Sequence, residues 1–349
     1  MNNVTMLIDL QYGSTGKGLV AGYLSEHNEY DTVISANMPN AGHTAWFNDH
    51  RFIHKVLPSG IFSPHLKRIM VGPGAVFSIE QLQKELLRIK DVMFPVWEER
   101  GQPVPQIMIH AQSTVLTKEH VEAEQASGTV KIASTAQGSK EAMIARLHRD
   151  PDNNPTAGKN PRLLSEFDEI GFNVQIIEHR HWIKTLVRES KMTLAEGAQG
   201  YSLGISQDFY PYTTSRDCTP FRFAADMGIP YRTLYKIIGV LRTYPIRVGN
   251  TDQGKSGGIY SDQEELSWEQ LGQEPEITTV TGRVRRVFSF SWEQLVEATR
   301  ECGPDEIFIN FMNYLPPEEH LKFYKKVNFI CPVKYLGYGP RANNVVDLT

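Results

Sequence analysis

The sequence predicts an α/β protein with a mostly parallel central sheet flanked by helices. Three observations carry that expectation. Short apolar runs of strand length alternate with longer stretches of helical periodicity along nearly all 349 residues. The first apolar run, Val4–Leu10, feeds straight into a glycine-rich turn and then a helical stretch, the order used by open α/β sheets. A chain that is 40% apolar and 22% charged has the balance of an ordinary globular protein, long enough to bury a large core.

Taken in order, "NVTMLIDL" has no polar face and reads as a buried strand, with "KGLVAGYLSEHN" as the helix after it. "DTVISAN" and "RIMVGPG" read as the next two strands. "SIEQLQKELLRIKDVM" is an amphipathic helix with Ser78 as its N-cap. The runs "QIMIHAQ", "FNVQIIEH", "MTLAEGAQG", "KIIGVLRTYPIRVG", "EIFINFMNYL" and "VNFICPVKYLGYG" continue the strand series, with helical stretches between several of them. The polar run "HRDPDNNPTAGKNPR" (148–162) reads as an exposed loop or subdomain boundary, without dividing what is expected to be one domain over 1–349. "EHRHW" (178–182) is expected at a strand end; its two histidines lack further ligands at metal spacing.

Composition excludes several classes. A net charge of −4 offers no polyanion-binding or membrane-binding surface, so neither nucleic acid nor membrane is an expected partner. No apolar run approaches the roughly 20 residues of a membrane span, and "MNNVTMLIDL" has no basic leader region. Cys218, Cys302 and Cys331 are odd in number and widely spaced, forming neither a disulfide framework nor a zinc pattern. The expected setting is the reducing cytoplasm.

The turn "QYGSTGKG" (Gln11–Gly18) concentrates the functional question. Gly13, Gly16 and Gly18 let backbone N–H groups approach an anion, the following helix adds its positive end, and Lys17 adds a charge. The spacing is not that of a Walker A loop, which has four residues between its first glycine and Gly-Lys and then Ser or Thr. Alone, the turn fits phosphate binding and a plain strand-to-helix connection equally well.

Five further motifs follow it in order: "NAGHT" (Asn40–Thr44), "LPSG" (Leu57–Gly60), "EGAQG" (Glu196–Gly200), "YPYTTS" (Tyr210–Ser215) and "TGRVRR" (Thr281–Arg286). In this order, from about Leu7 to "GPR" (Gly339–Arg341), the chain resembles the adenylosuccinate synthetase family. The resemblance implies that family's P-loop-NTPase-like α/β fold. It also implies ligation of L-aspartate to C6 of a purine nucleotide. A nucleoside triphosphate first phosphorylates the 6-oxo group, and the aspartate amine then displaces phosphate. Mg²⁺ is the implied cofactor and a homodimer the implied assembly.

By the same resemblance, His43 is the general acid that stabilises the developing phosphoryl charge. The triphosphate would meet Ser14, Thr15, Gly16, Lys17, Gly18, Gly42, His43 and Thr44, and further along Asn313, Gly339 and Pro340. The purine monophosphate would meet Ser14, Asn40, Ser134, Thr135, Gln199, Thr214 and Val248, with Arg146 supplied across a dimer interface. Thr281, Arg283 and Arg285 would capture aspartate; they alternate, so in an extended loop they share a face, and two guanidinium forks suit a dicarboxylate. Ser14 and the Gly42 carbonyl would ligate Mg²⁺.

Two departures from the family pattern matter. Ser14 and Thr15 stand where the family carries Asp-Glu, and that aspartate is both a metal ligand and the base that takes the N1 proton. A serine hydroxyl can ligate Mg²⁺ but holds its own proton too tightly to be the base, so a relay through Ser14 and help from Asp9 both stay open. Asn313, in "NFMN" (Asn310–Asn313), replaces the guanine-reading aspartate. An amide both donates and accepts, which admits adenine and makes ATP or dATP the expected donor. Together the departures resemble the viral branch of the family that makes a precursor of 2-aminoadenine nucleotides from 2′-deoxyguanylate. Removing a carboxylate beside N1 makes room for guanine's 2-amino group. An ordinary inosinate-using synthetase, and a nucleotide-binding protein that has lost catalysis, remain alternatives on sequence alone.

Overall fold

The computed structural model describes residues 3–160, 162–165, 167, 170–278 and 282–348. Ten strands form the central sheet, numbered here in chain order: β1 (Val4–Asp9), β2 (Thr32–Ser35), β3 (Arg68–Val71), β4 (Gln106–His110), β5 (Val174–Ile177), β6 (Thr193–Glu196), β7 (Leu234–Arg242), β8 (Glu306–Asn310), β9 (Val333–Gly337) and β10 (Val345–Asp347). Their order across the sheet is β10-β9-β8-β7-β1-β6-β2-β3-β4-β5, and every pairing is parallel except β9 with β10. The expected mostly parallel α/β sheet is therefore the one observed.

β1 and β2 are buried along their whole length, as strands covered by helices on both faces must be, which is why they read as unbroken apolar runs. From β1 the chain builds outward through β2 to β5, returns to insert β6, then crosses to the other side with β7. The direction of winding thus reverses around β1, and ligands in such sheets bind beyond the carboxyl ends at that reversal. The carboxyl-terminal residues there are Asp9, Ser35, Glu196, Arg242 and Asn310, all polar and all buried. Buried polar groups need partners, and these organise the site.

Two helices set the loops over this edge. The helix Lys17–His27 follows β1 and lies so close to the hairpin His43–Phe47/His50–His54 that a side chain at Gly18 would sit 2.4 Å from the Thr44 carbonyl oxygen. The helix Ile79–Glu99 starts at Ser78, whose hydroxyl accepts from Gln81 N–H at 3.1 Å as expected. It buries Leu82, Leu86, Ile89, Met93 and Trp97 on one face. Glu85 shares that face and its carboxylate accepts N–H bonds from Lys55, Val56 and Leu57 at 2.7–3.2 Å, anchoring the "LPSG" turn. A small antiparallel sheet, Ile246–Arg247, Arg286–Phe288 and Glu265–Leu266, carries its own apolar cluster of Ile246, Trp268 and Val287 and holds the "GRVRR" loop beside the carboxyl edge.

Three local readings change. The run "VNFICPVKYLGYG" is divided: Val327–Ile330 ends the helix Pro317–Ile330, and β9 starts only at Val333, after Pro332 interrupts. "EHRHW" lies not on a strand end but at the start of the short helix His179–Lys184, with Glu178 as its N-cap. "KIIGVLRTYPIRVG" splits at Pro245 into the end of β7 and the strand Ile246–Arg247. The segment 148–162 is exposed at His148, Arg149 and Pro151–Asn154. It is nevertheless tied to the body where Val115 N–H donates to Pro155 O and Ala157 N–H to Ser113 O, both at 2.8 Å.

Candidate active site

The glycine-rich turn is shaped from beneath by Asp9. Its buried carboxylate accepts from the N–H groups of Gln11 (2.9 Å), Gly13 (3.1 Å) and Thr15 (3.3 Å), from the Thr15 hydroxyl, and from Lys17 Nζ (3.1 Å). Lys17 also donates to the Gln199 carbonyl at 2.7 Å, so its ammonium is drawn under the loop and is buried. With those groups turned inward, Gly13, Ser14 and Gly16 take left-handed backbone, at φ of 89°, 57° and 88°. Serine is strained there and glycine is not. The outcome is an exposed Ser14 at the tip, over the start of the Lys17–His27 helix.

His43 opens the hairpin that crosses that helix. Its Nδ1 lies 2.8 Å from Glu196 Oε1 at the end of β6, and both side chains are buried. Burial alone would raise the Glu196 carboxyl. The His43 ring, the Ser59 N–H bond at 2.6 Å and the nearby His54 together outweigh it and hold the pKa below the ordinary carboxylate value. This assigns a role to "LPSG": its Ser59 N–H fixes the second carboxylate oxygen. With Nδ1 committed to Glu196, Nε2 is the ring nitrogen left for the cleft.

A second chain of polar contacts runs from "NAGHT" to "EGAQG". Gln199 Nε2 donates to Asn40 Oδ1 at 2.9 Å, and Gln199 Oε1 accepts from Arg216 Nε and Nη2 at 3.3 and 3.2 Å. Arg216 is fully buried and braced by Asp226 (3.2 Å) and the Ala36 carbonyl (2.8 Å). Gln199, at φ 58°, is thereby held in one orientation at the cleft wall.

The arginine loop closes the other side. Arg285 Nη1 donates to the Ser14 hydroxyl at 2.8 Å. Burial lowers its guanidinium to about 10, against the opposing pull of Glu276. Arg283 donates to the carbonyls of Ala133 (3.2 Å) and Ser134 (3.1 Å). Arg242, fully buried at the end of β7, forms a two-pronged pair with Glu276 and donates to the Ser14 carbonyl at 3.2 Å. Burial would raise Glu276, but Arg242, Arg285 and the Tyr314 hydroxyl together outweigh it and the carboxyl lies below its ordinary value.

These walls enclose a cleft of about 450 Å³. Of the residues expected from sequence, it is lined by Ser14, Thr15, Gly16, Lys17, Gly18, Asn40, Gly42, His43, Thr44, Ser134, Thr135, Gln199, Thr214, Val248 and Arg285. Arg283, Asn313, Gly339, Pro340 and Arg146 do not line it. Asn313 is exposed, Gly339 packs against the Asn344 side chain, and Arg146 turns onto the Pro73 carbonyl of its own chain. Thr281 lies outside the described residues. The sequence reading assigned no role to Glu196, Arg216, Arg242 or Glu276. Glu196 stood inside a quoted motif, but nothing local says which buried carboxylate will face a histidine.

The donor set also bears on a metal. Among the described residues no cluster of three His, Cys, Asp or Glu side chains could hold an ion. The cleft offers the exposed Ser14 hydroxyl and the Gly42 carbonyl instead. Two neutral oxygens fit Mg²⁺ whose remaining ligands are waters and phosphate oxygens.

A parallel sheet with a phosphate-type turn, a histidine–carboxylate pair and an arginine loop converging at its switch point defines a nucleotide-dependent α/β enzyme. The chain belongs to the adenylosuccinate synthetase family, whose model matches residues 6–152 and 159–327. It is 51% identical over 356 residues to the N6-succino-2-amino-2′-deoxyadenylate synthase of Vibrio phage phiVC8, covering 99% of this chain and 98% of that one. Its structure matches the succinoaminodeoxyadenylate synthetase (PurZ) of cyanophage S-2L, bound to dGMP and dATP as an energy donor. The TM-score is 0.88 at 36% identity, over 99% of this chain and 95% of that one. It also matches fully ligated adenylosuccinate synthetase from Plasmodium falciparum at a TM-score of 0.79 and 19% identity, over the whole of both chains, a likeness of fold. No helix among the described residues is long and apolar enough to cross a membrane.

Proposed function

We propose that this protein joins L-aspartate to C6 of 2′-deoxyguanylate with dATP or ATP as phosphoryl donor, giving 2-amino-2′-deoxyadenylosuccinate, nucleoside diphosphate and phosphate through a 6-phosphoryl intermediate. The observation that carries this reading is Ser14. The residue at the tip of the phosphate turn presents a neutral hydroxyl, bonded to Arg285, where the inosinate-using family has a carboxylate. The phage relatives of the preceding section support the same substrate.

On this reading the donor's phosphates lie over the N–H groups of the turn and the start of its helix, where charge and open donors favour an anion. His43, oriented by Glu196 through Nδ1, directs Nε2 to the oxygen being phosphorylated and protonates or hydrogen-bonds it as charge develops. Arg285, with Arg283 behind it, receives the carboxylates of aspartate. Mg²⁺, held by the Ser14 hydroxyl and the Gly42 carbonyl, would supply charge neutralisation to the phosphate oxygens. Asp9 serves as scaffold and not as base, because it is buried and both its oxygens are taken by donors of the turn. The proton from N1 leaves through the Ser14 hydroxyl to phosphate or water, with an acceptor position of that oxygen opened when Arg285 turns from Ser14 to the aspartate carboxylates.

The chain acts as one domain over 1–349 and as a homodimer in which Arg146 swings from Pro73 to the neighbouring subunit's nucleotide phosphate. It works in the cytoplasm of an infected host cell, a setting that the phage relatives named above support.

The test is phosphate release with Mg²⁺, dATP and aspartate, with dGMP in one reaction and inosinate in another, each product identified by mass. Turnover of dGMP alone is expected. Turnover of inosinate alone would make this an ordinary adenylosuccinate synthetase with an unusual turn, the second reading that the fold permits.

A further inference from the structure

The Arg242–Glu276 pair has no part in the chemistry described so far, yet it joins three segments of the site. Arg242 ends β7 and is fully buried. Its guanidinium carbon lies 3.8 Å from the centre of the Phe311 ring, a close stack. Nη1 reaches both the Ser14 carbonyl (3.2 Å) and Glu276 Oε2 (3.2 Å), while Nη2 bonds Glu276 Oε1. Its backbone is held as firmly: Gln11 Nε2 donates to the Arg242 carbonyl at 3.1 Å, and Arg242 N–H donates to Gln11 Oε1 at 2.9 Å. Glu276 is further fixed by the Tyr314 hydroxyl at 3.1 Å.

One side chain thus touches the phosphate turn at Ser14, the irregular segment leading to the arginine loop at Glu276, and the segment after β8 at Phe311. Ser14 and Phe311 are both strained, at φ of 57° and 60°. Non-glycine residues stay in that region only where surroundings over-determine them. Here one guanidinium is common to the surroundings of both: it binds the carbonyl of one residue and stacks on the ring of the other, beside Arg285 on the Ser14 hydroxyl and the Thr243 hydroxyl on the Phe311 carbonyl. Both residues line the cleft.

We propose that Arg242 is a positioning residue: by clamping the Ser14 carbonyl and the Phe311 ring against Glu276, it fixes where the donor's terminal phosphate sits relative to the purine. It touches no substrate. The shape of the fork matters as well as its charge, because a lysine ammonium cannot bond a carboxylate with two prongs, reach a carbonyl and stack on a ring together. Burying an unpaired charge is costly, so Glu276→Gln should loosen the same clamp from its other side.

The proposal rests on the functional reading above only through the substrates used to test it. The variants are Arg242→Lys and Glu276→Gln, with Arg232→Lys as control, an exposed arginine near the opposite end of β7. Mg·dATP binding and dGMP binding are measured separately by calorimetry, and kcat and KM by phosphate release. For Arg242→Lys, kcat is expected to fall about 10²-fold, the scale set by an ångström of misplacement. Mg·dATP affinity should weaken roughly tenfold, with dGMP affinity and KM within about threefold of wild type. Glu276→Gln should follow in the same direction, and Arg232→Lys should match wild type. The proposal is overturned if both clamp variants keep kcat and Mg·dATP affinity within about twofold of wild type. It is equally overturned if dGMP affinity, Mg·dATP affinity and melting temperature fall together, the pattern of a residue needed only for folding. A wild-type protein silent with dGMP would defeat the functional reading alone, since Mg·dATP affinity would still decide the role of Arg242.

Discussion

Glu196 ends a central strand with its carboxylate 2.8 Å from Nδ1 of His43, which opens a hairpin packed against the phosphate-turn helix. Neither residue is exposed, and the second carboxylate oxygen is bound by Ser59 N–H. The relationship ties a catalytic candidate to the sheet itself, so the imidazole is placed by a buried strand of the central sheet.

The pair makes stability depend on pH in a defined sense. The folded Glu196 carboxyl titrates below its ordinary value: burial pushes it up, but His43 and the hydrogen bonds pull it down further. A depressed carboxyl contributes stability that is complete above the unfolded pKa, about 4.3, and is lost as pH falls through the folded value. Glu196→Gln should therefore cost about 2 kcal/mol near pH 7, the worth of a hydrogen bond to a charged group. The gap from wild type should close below pH 4. Urea unfolding of both proteins across pH 3–8 checks this, and a gap that is constant with pH would rule it out.

His43 itself should separate chemistry from binding. In His43→Asn the hydrogen bond to Glu196 can be kept, while the ring nitrogen facing the cleft is lost. The expected result is a fall in kcat of about 10²–10⁴-fold with dGMP affinity nearly unchanged. Single-turnover assays alongside calorimetry measure both quantities. An equal loss in dGMP affinity would make His43 a binding residue only.

Away from the cleft, His110 at the end of β4 points to a second pH effect. It is buried beside His179, with 3.2 Å between Nε2 and Nδ1, and the Trp182 ring packs edge-on against it. Burial, then the charge of His179, lowers its pKa to about 4. Between that value and the ordinary 6.5 the unfolded chain binds the proton and the folded chain does not, so stability falls as pH drops through this window and levels off beneath it. His110→Gln should flatten the loss by roughly 1–2 kcal/mol, allowing for partial solvation of the pair. Thermal melts at pH 4.5 and 7.5 would show it.

The histidine pair also shows where sequence stops being informative. β1, β2 and β3 were legible because burial on both faces makes a continuous apolar run. The run Val327–Val333 was not, because an apolar stretch of that length suits a buried helix end or a strand equally, and only the packing of Val327 decides it. In the site, Ser14, His43 and Arg285 were legible from motifs. Arg242 and Glu276 were not. Arg242 meets Ser14 across 228 residues of chain, and such partners are set by strand order, which no local pattern encodes. Lys17 was legible as a positive charge at the turn, but its direction, inward to Asp9, was not.

The contact between Arg285 and Ser14 gives the sharpest test of substrate choice. At 2.8 Å a neutral hydroxyl accepts from the guanidinium without neutralising it, so the charge of Arg285 stays available to a dicarboxylate. In Ser14→Asp the same atoms would form an ion pair, with two consequences. First, Arg285 would be held by the protein, so the KM for aspartate should rise by about tenfold, the cost of diverting one charge-assisted bond. Second, a carboxylate beside N1 restores the acceptor and base of the inosinate-using pattern and crowds guanine's 2-amino group. The ratio of kcat/KM for inosinate to that for dGMP should therefore increase by at least about tenfold. Ser14→Ala separates the two effects: kcat should fall, because the relay hydroxyl and metal ligand are gone, but Arg285 is freed without an added acceptor, so the aspartate KM should hold and the base preference stay with dGMP. Competition assays with both nucleotides in one vessel, read by product mass, measure the preference directly. If Ser14→Asp leaves the ratio unchanged, the serine does not select the base, and the discrimination must lie in the wall formed by Asn40 and Gln199, which Arg216 braces from behind.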